Sequence, residues 1–109
     1  MPLSCKMDGR KMTAQITGEV DHHRAKQLML DLERKIEISY PKELILDLSG
    51  VTFMDSSGIG MLLGRLRALQ SRGGSLSVKH MQPPVEKLFR LSGLDRVIGV
   101  EDDIRGGRL

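Results

Sequence analysis

The amino-acid sequence predicts an α/β fold with a mixed, mainly parallel sheet, and three observations lead to this prediction. The chain opens with two segments of alternating apolar and polar residues, separated by the turn signal Asp8-Gly9. After this hairpin, helical and strand patterns alternate, which favours parallel strands joined by right-handed crossovers. The length of 109 residues suits one domain, residues 1–109, with a small buried core.

The first two strands form the N-terminal β-hairpin of this fold, and Gly18 is expected to end the second. In both strands apolar residues alternate with polar ones, namely Leu3, Cys5, Met7, Met12, Ala14 and Ile16.

A first helix over roughly residues 22 to 37 follows, with Asp21 as its N-cap. Tyr40-Pro41 ends it. The apolar run from Glu43 to Leu48 is typical of a strand covered on both faces. The helix carries apolar residues at helical spacing, namely Ala25, Leu28, Met29, Leu32 and Ile36.

A second helix begins near Ser56 or Ser57 and ends at Gly73-Gly74. Gly60 and Gly64 lie one turn apart in this helix, and we expect them to let it approach the sheet closely. Its buried stripe consists of Ile59, Leu62, Leu63, Leu66 and Leu69.

The remaining elements are shorter. Leu76 and Val78 predict a strand, and a third helix begins at Pro83-Pro84 and ends at Gly93. A last strand is expected over Val97 to Val100. The tail, Glu101 to Leu109, has room for a short further helix, so we expect three to four helices in all.

The composition excludes several classes of function. The net charge of +3 is modest, and basic residues are interleaved with acidic ones, so we expect no nucleic-acid partner. The few aromatic residues, Tyr40, Phe53 and Phe89, argue against base stacking. The single Cys5 excludes an internal disulfide and cysteine-based zinc sites. Without a signal peptide or a long apolar run, we expect a cytoplasmic protein that does not bind membranes.

The loop before the second helix, Asp55-Ser56-Ser57-Gly58, is the candidate site, because α/β domains place their sites after such strands. It lacks the spacing of a phosphate-binding Walker loop and the first glycine of a hydrolase nucleophile elbow. Nothing in the sequence places a histidine near the serines, so we predict no catalytic residue. Asp21-His22-His23 does not predict a metal site, because adjacent helical side chains diverge by about 100°.

Two interpretations of this loop stay open on the residues alone. Asp, Ser and Gly are typical of a helix start, and one such residue is enough for a cap. A serine at a helix N-terminus is also suited to phosphorylation, because backbone amides and the helix dipole accommodate the anion. The modification adds about −1.5 to −2 charges at neutral pH, enough to alter a docking surface.

The segment Phe53 to Gly60, continuing to Leu63-Gly64-Arg65, resembles the anti-sigma factor antagonists of the STAS domain superfamily, and most of all those of sporulation that act on the anti-sigma-F factor. Further stretches resemble the family in order along nearly the whole chain, namely Gly18 to His23, Leu44 to Leu48 and Pro84 to Gly93. The resemblance implies a single STAS-like domain. The tail departs from the family pattern, in which a fuller final helix is usual.

The resemblance also implies a mechanism. Such proteins bind a serine-kinase anti-sigma factor that holds ATP or ADP, and binding frees the sigma factor. The kinase then phosphorylates the first serine after the aspartate, which is Ser56 in this chain. Phosphorylation releases the antagonist, and a metal-dependent serine phosphatase restores it. The domain would therefore be a substrate and a switch, without a cofactor, and not an enzyme.

Roles for single residues follow from the resemblance. It implies that Asp55, Ser57, Gly58 and Ile59 shape the loop that enters the kinase, and that Asp21 contacts the partner. Arg65 either touches the partner or is a solvated helix charge.

Two other functions are compatible with the fold that the resemblance implies. One is a stress-response antagonist of a different anti-sigma kinase. The other is a non-phosphorylated STAS module of a transport assembly, which the intact Asp55-Ser56-Ser57-Gly58 segment disfavours.

Overall fold

A computed structural model describes residues 2–101 of the chain, which form a five-stranded sheet with helices packed on it. The part of the predicted tail helix beyond Glu101 lies outside these residues. In chain order the elements are β1 (Leu3–Asp8), β2 (Lys11–Val20), α1 (His22–Ser39), β3 (Glu43–Met54), α2 (Ser56–Gln70), β4 (Ser75–Lys79), α3 (Pro83–Leu91), a 3-10 turn (Leu94–Arg96) and β5 (Gly99–Glu101).

The strands lie side by side in chain order, from β1 to β5. β1 pairs antiparallel with β2, and each later pair is parallel. The predicted mixed, mainly parallel sheet with an N-terminal hairpin is therefore confirmed. β5 begins later than expected, because Val97 closes the 3-10 turn and is exposed.

The buried face of the sheet carries the helices. Met12, Leu44 and Leu76 are neighbours across β2, β3 and β4, and all are almost fully buried. Alternate residues along each strand continue this apolar face. The helices add their buried residues to the same core cluster, namely Ala25, Leu28, Leu32, Ile36, Met61, Leu62, Leu66, Leu69, Val85 and Phe89.

The opposite face of the sheet is mostly polar. Ile45 lies there between Thr13 of β2 and Ser77 of β4, and it is buried. Asp47, the next residue of β3 on that face, is only partly buried and accepts a hydrogen bond from the Ser49 amide at 3.0 Å. The prediction that this strand is covered on both faces therefore holds at Ile45 and is wrong at Asp47.

β2 and β3 are both longer than predicted. Gly18 does not end β2; with φ +101° it lies at a register shift, and the strand continues to Val20. β3 continues beyond Leu48 to Met54, past the end of β4, and stays paired with β2 up to Val20 and Met54. The ends of these two strands therefore lie side by side, at the edge where α1 and α2 begin.

Over residues 2–101, none of the helices combines the length and the apolar character needed to cross a membrane.

Candidate functional site

The candidate site is formed by two matching strand-to-helix junctions. Val20 of β2 and Met54 of β3 are register partners, and each is followed by an aspartate and then by a helix. The amide of Asp55 donates to the carbonyl of Val20 at 3.4 Å, which links the two junctions. Asp21 and Asp55 consequently lie at the same edge of the sheet.

Asp55 is the N-cap of α2 and uses both its side chain and its carbonyl. Its Oδ1 accepts the amide hydrogen of Ser57 at 2.9 Å. Its carbonyl accepts from the amides of Gly58, at 3.0 Å, and Ile59, at 3.2 Å. The expectation that free amides here would receive a phosphate is therefore wrong for these residues, since Asp55 already satisfies them.

The two serines of the loop lie in different environments. Ser56, the first residue of α2, is exposed, and its hydroxyl has no hydrogen-bond partner among residues 2–101. Ser57 is partly buried, and its Oγ lies 3.2 Å from Nδ1 of His22, the first residue of α1. The hydroxyl of Ser56 is thus open to a reaction partner, whereas that of Ser57 is engaged within the domain.

The sequence does not place a histidine near the serines, but the fold does, because the paired ends of β2 and β3 bring His22 beside Ser57. The contact does not form a hydrolase triad, which also needs an acid that orients the histidine and free amides that stabilise an oxyanion. Within residues 2–101 no carboxylate is hydrogen-bonded to His22, and the nearby amides of Gly58 and Ile59 are bonded to Asp55.

Asp21 caps α1 as predicted. Its Oδ1 accepts the amide hydrogen of Arg24 at 3.0 Å. That hydrogen bond, together with the positive charge of Arg24, holds the pKa of Asp21 below its usual range. The carboxylate of Asp21 is therefore ionised at neutral pH, at the same edge as Asp55.

Gly58 is the residue that lets α2 approach the sheet. A Cβ at Gly58 would collide with Cγ of Met54 and lie 3.1 Å from Cγ1 of Val20. The role predicted for Gly60 and Gly64 is wrong, because a Cβ at Gly60 would meet nothing within 4 Å and one at Gly64 would meet only Sδ of Met29 at 3.8 Å.

Ile59 is partly buried and packs against the core. Its side chain helps to hold the first turn of α2 in place.

Arg65 is buried, with only 10% of its side chain exposed, so the interpretation as a solvated helix charge is wrong. Its Nη2 donates to Oε2 of Glu33 at 3.0 Å. The ion pair joins α2 to α1 inside the domain. This burial does not support a direct contact between Arg65 and a partner.

Ser56 belongs to a surface of mixed character at this edge, which we call the Ser56 surface and define by the exposed Glu19, Phe53 and Ser56 and the partly buried Asp21. Phe53 is 47% exposed, and its register partner Glu19 is exposed beside it. Sequence reasoning did not assign Phe53 a role, although an exposed aromatic residue in a chain with few aromatics was a usable signal.

Metal-binding side chains are not gathered at this edge. Across residues 2–101, no three His, Cys, Asp or Glu side chains come together in a group that could hold an ion.

Comparisons with known proteins agree with this fold. A family model described as the STAS domain matches residues 6–106. An anti-sigma F factor antagonist from Paenibacillus polymyxa is 30% identical over 105 residues, which cover 94% of this chain and 90% of the relative.

Two solved structures are similar to the chain. One is the anti-sigma factor antagonist SpoIIAA in its unphosphorylated form, with a TM-score of 0.80 and 30% identity over 94% of this chain and 89% of the other. The second is the Bacillus cell fate determinant SpoIIAA in the phosphorylated form, with a TM-score of 0.72 and 29% identity over 94% of this chain and 92% of the other.

The packing at the start of α2 leads to a paired prediction. Gly58→Ala should destabilise the domain by about 1–3 kcal/mol, because the added methyl group overpacks the contact with Met54 and Val20. Gly60→Ala should stabilise it by up to about 1 kcal/mol, because its site is open and alanine favours the helix. Urea unfolding of both variants measures the difference. Equal effects of the two substitutions would contradict the role assigned to Gly58.

Proposed function

Because this chain belongs to the STAS-domain family, we propose that it acts as an anti-sigma factor antagonist switched by phosphorylation of Ser56. In its unphosphorylated form it binds a serine-kinase anti-sigma factor and thereby frees the sigma factor. The similarity to an anti-sigma F factor antagonist along 94% of the chain supports this class of partner.

The observation that carries the proposal is the difference between the two serines. Ser56 presents an exposed hydroxyl at the first position of α2, beyond the end of the sheet. The hydroxyl and the amide of Ser57 are both engaged, by His22 and by Asp55 respectively. A kinase that docks on this edge therefore meets Ser56 as the accessible nucleophile.

The transfer itself is carried out by the partner. The oxygen of Ser56 attacks the γ-phosphorus of ATP held by the kinase, and a new O–P bond forms. The bond from that phosphorus to the bridging oxygen breaks, ADP leaves with the electron pair, and the hydroxyl proton passes to a base of the kinase. A magnesium ion on the kinase neutralises the phosphate charge. A metal-dependent serine phosphatase reverses the modification by directing water onto the phosphorus.

The electrostatics of the edge explain how the modification ends binding. Asp55 already occupies the amides of Ser57, Gly58 and Ile59, and Asp21 adds a second carboxylate at the same edge. A phosphate on Ser56 adds about −1.5 to −2 charges to this region. The resulting anionic tip would have to be desolvated against nucleotide phosphates in the kinase, and juxtaposed like charges at an interface cost several kcal/mol.

The docking surface for the kinase is the Ser56 surface. Phe53 offers apolar area beside the acceptor, and Asp21 offers a fixed negative charge. Asp55, Ser57, Gly58 and Ile59 contribute by shaping the loop. Arg65 contributes indirectly, by holding α2 against α1 through Glu33.

The first prediction from this proposal concerns the acceptor. Ser56→Ala should abolish phosphate incorporation from ATP by the cognate kinase, meaning the serine-kinase anti-sigma factor encoded in the same genome. Ser57→Ala is the matched control and should leave incorporation on Ser56. Peptide mass spectrometry locates the phosphate, and phosphate on Ser57 of the wild-type chain would refute the assignment.

A second prediction concerns Asp21. Asp21→Lys should weaken binding to the cognate kinase about tenfold or more, since about 1.4 kcal/mol corresponds to a factor of ten. Because this substitution also removes a cap worth about 1 kcal/mol of stability, Asp21→Asn serves as a cap-preserving variant that removes only the charge. Asp8→Lys makes the same charge change at the end of β1, where Asp8 pairs with Lys11 at the opposite end of β2 from the site, and it should leave affinity unchanged. Titration calorimetry showing equal losses for Asp21→Lys and Asp8→Lys would exclude Asp21 from the interface.

A third prediction concerns the switch. Phosphorylation of Ser56 should lower affinity for the ADP-bound kinase at least about a hundredfold, which corresponds to about 2.8 kcal/mol. Ser56→Asp should reproduce only part of the loss, because it carries less charge and fewer acceptor oxygens. Titrations of both forms measure the affinities, and amide NMR shifts report the fold. Shifts spread through the sheet would show a conformational switch instead, and equal affinities would exclude the switch.

A further inference from the structure

The contact between His22 and Ser57 takes no chemical part in the transfer to Ser56, but it holds the hydroxyl of the neighbouring serine. Nδ1 of His22 and Oγ of Ser57 are 3.2 Å apart, and the amide of Ser57 is also bonded, to Oδ1 of Asp55. The hydroxyl of Ser57 is therefore held from the start of α1, by His22, and its amide from the start of α2, by Asp55. The hydroxyl of Ser56, the preceding residue, is exposed and makes no hydrogen bond within residues 2–101.

We propose that His22 is a positioning residue that restricts phosphoryl transfer to Ser56 by holding the hydroxyl of Ser57 between α1 and α2. The inference rests on the proposed function and adds the basis on which the kinase chooses between two adjacent serines. Whether His22 or Ser57 donates the hydrogen in this bond, the Ser57 hydroxyl must break the bond and turn away from His22 before it can reach a phosphorus atom.

The surroundings of the contact show what removal of the imidazole would do. His22 and Ser57 line a groove of about 210 Å³ between α1 and α2, together with Lys26, Met29 and Gly60. Truncation at His22 widens this open groove and frees the Ser57 hydroxyl. The cap bond from Asp55 to the Ser57 amide does not involve His22, so the start of α2 keeps its backbone geometry.

A histidine hydrogen-bonded to a serine can instead activate that serine as a nucleophile. In that case Ser57 would be the preferred acceptor, and loss of His22 would lower its reactivity. The partial burial of Ser57 and the exposure of Ser56 favour restraint over activation. The two interpretations predict opposite changes at Ser57 when His22 is removed.

The test uses the full chain, the cognate kinase and ATP, with each phosphate located by mass spectrometry. In the Ser56→Ala background, where phosphate incorporation should not exceed the assay background, His22→Ala should raise phosphorylation of Ser57 to about tenfold or more above that background, an effect of the order of one hydrogen bond. His22→Asn, whose amide takes the place of Nδ1, should restore the low rate. His23→Ala is the matched control, because the neighbouring imidazole is exposed and does not contact Ser57.

A readout without the kinase comes from unfolding. His22→Ala and Ser57→Ala should be non-additive in stability, whereas His23→Ala and Ser57→Ala should be additive. Additivity of the first pair would overturn the inference. So would a rate at Ser57 that stays unchanged or falls in the His22→Ala variant while the wild-type chain accepts phosphate on Ser56. A wild-type chain that accepts no phosphate would instead refute the proposed function, and the selective role of His22 with it.

Discussion

The pairing of β2 with β3 beyond the end of β4 is the constraint on which the candidate site depends. Because β2 continues to Val20 and β3 continues to Met54, the ends of the two strands are register partners. Each strand is then followed by a helix capped by an aspartate. Had β3 ended at Leu48, the starts of α1 and α2 would not be fixed to each other through the sheet. The hydrogen bond from the Asp55 amide to the Val20 carbonyl closes this arrangement.

Both helix starts at this edge already carry the negative charge that their amides and dipoles favour. Asp21 bonds the Arg24 amide, and Asp55 bonds the amides of its own first turn. A phosphate on Ser56 therefore adds charge where the helix N-terminus is already neutralised. The local fold does not depend on that phosphate, so for the proposed switch the repulsion of a partner is a simpler basis than refolding.

The sequence predicted the order and the type of the elements, because helical spacing, caps and turn residues are local signals. Asp21 and Asp55 were identified as a cap and a loop aspartate from residue type alone. The extension of β3 to Met54 was not predicted, because Ser49 and Gly50 interrupt the apolar pattern. The contact of His22 with Ser57 and the ion pair of Arg65 were missed for a related reason, since each joins residues more than thirty positions apart.

The ion pair between the buried Arg65 and the partly exposed Glu33 helps to define the geometry of the contact between His22 and Ser57. A buried guanidinium costs free energy unless it is paired, so Arg65 requires Glu33 at one position along α1. This requirement opposes sliding of α1 against α2, and the sheet pairing fixes the helix starts at their other end. A single hydrogen bond between an exposed and a partly buried residue contributes little on its own. Between two helices held in this way, His22 and Ser57 are kept within bonding distance by the rest of the fold, and their hydrogen bond only has to orient one hydroxyl.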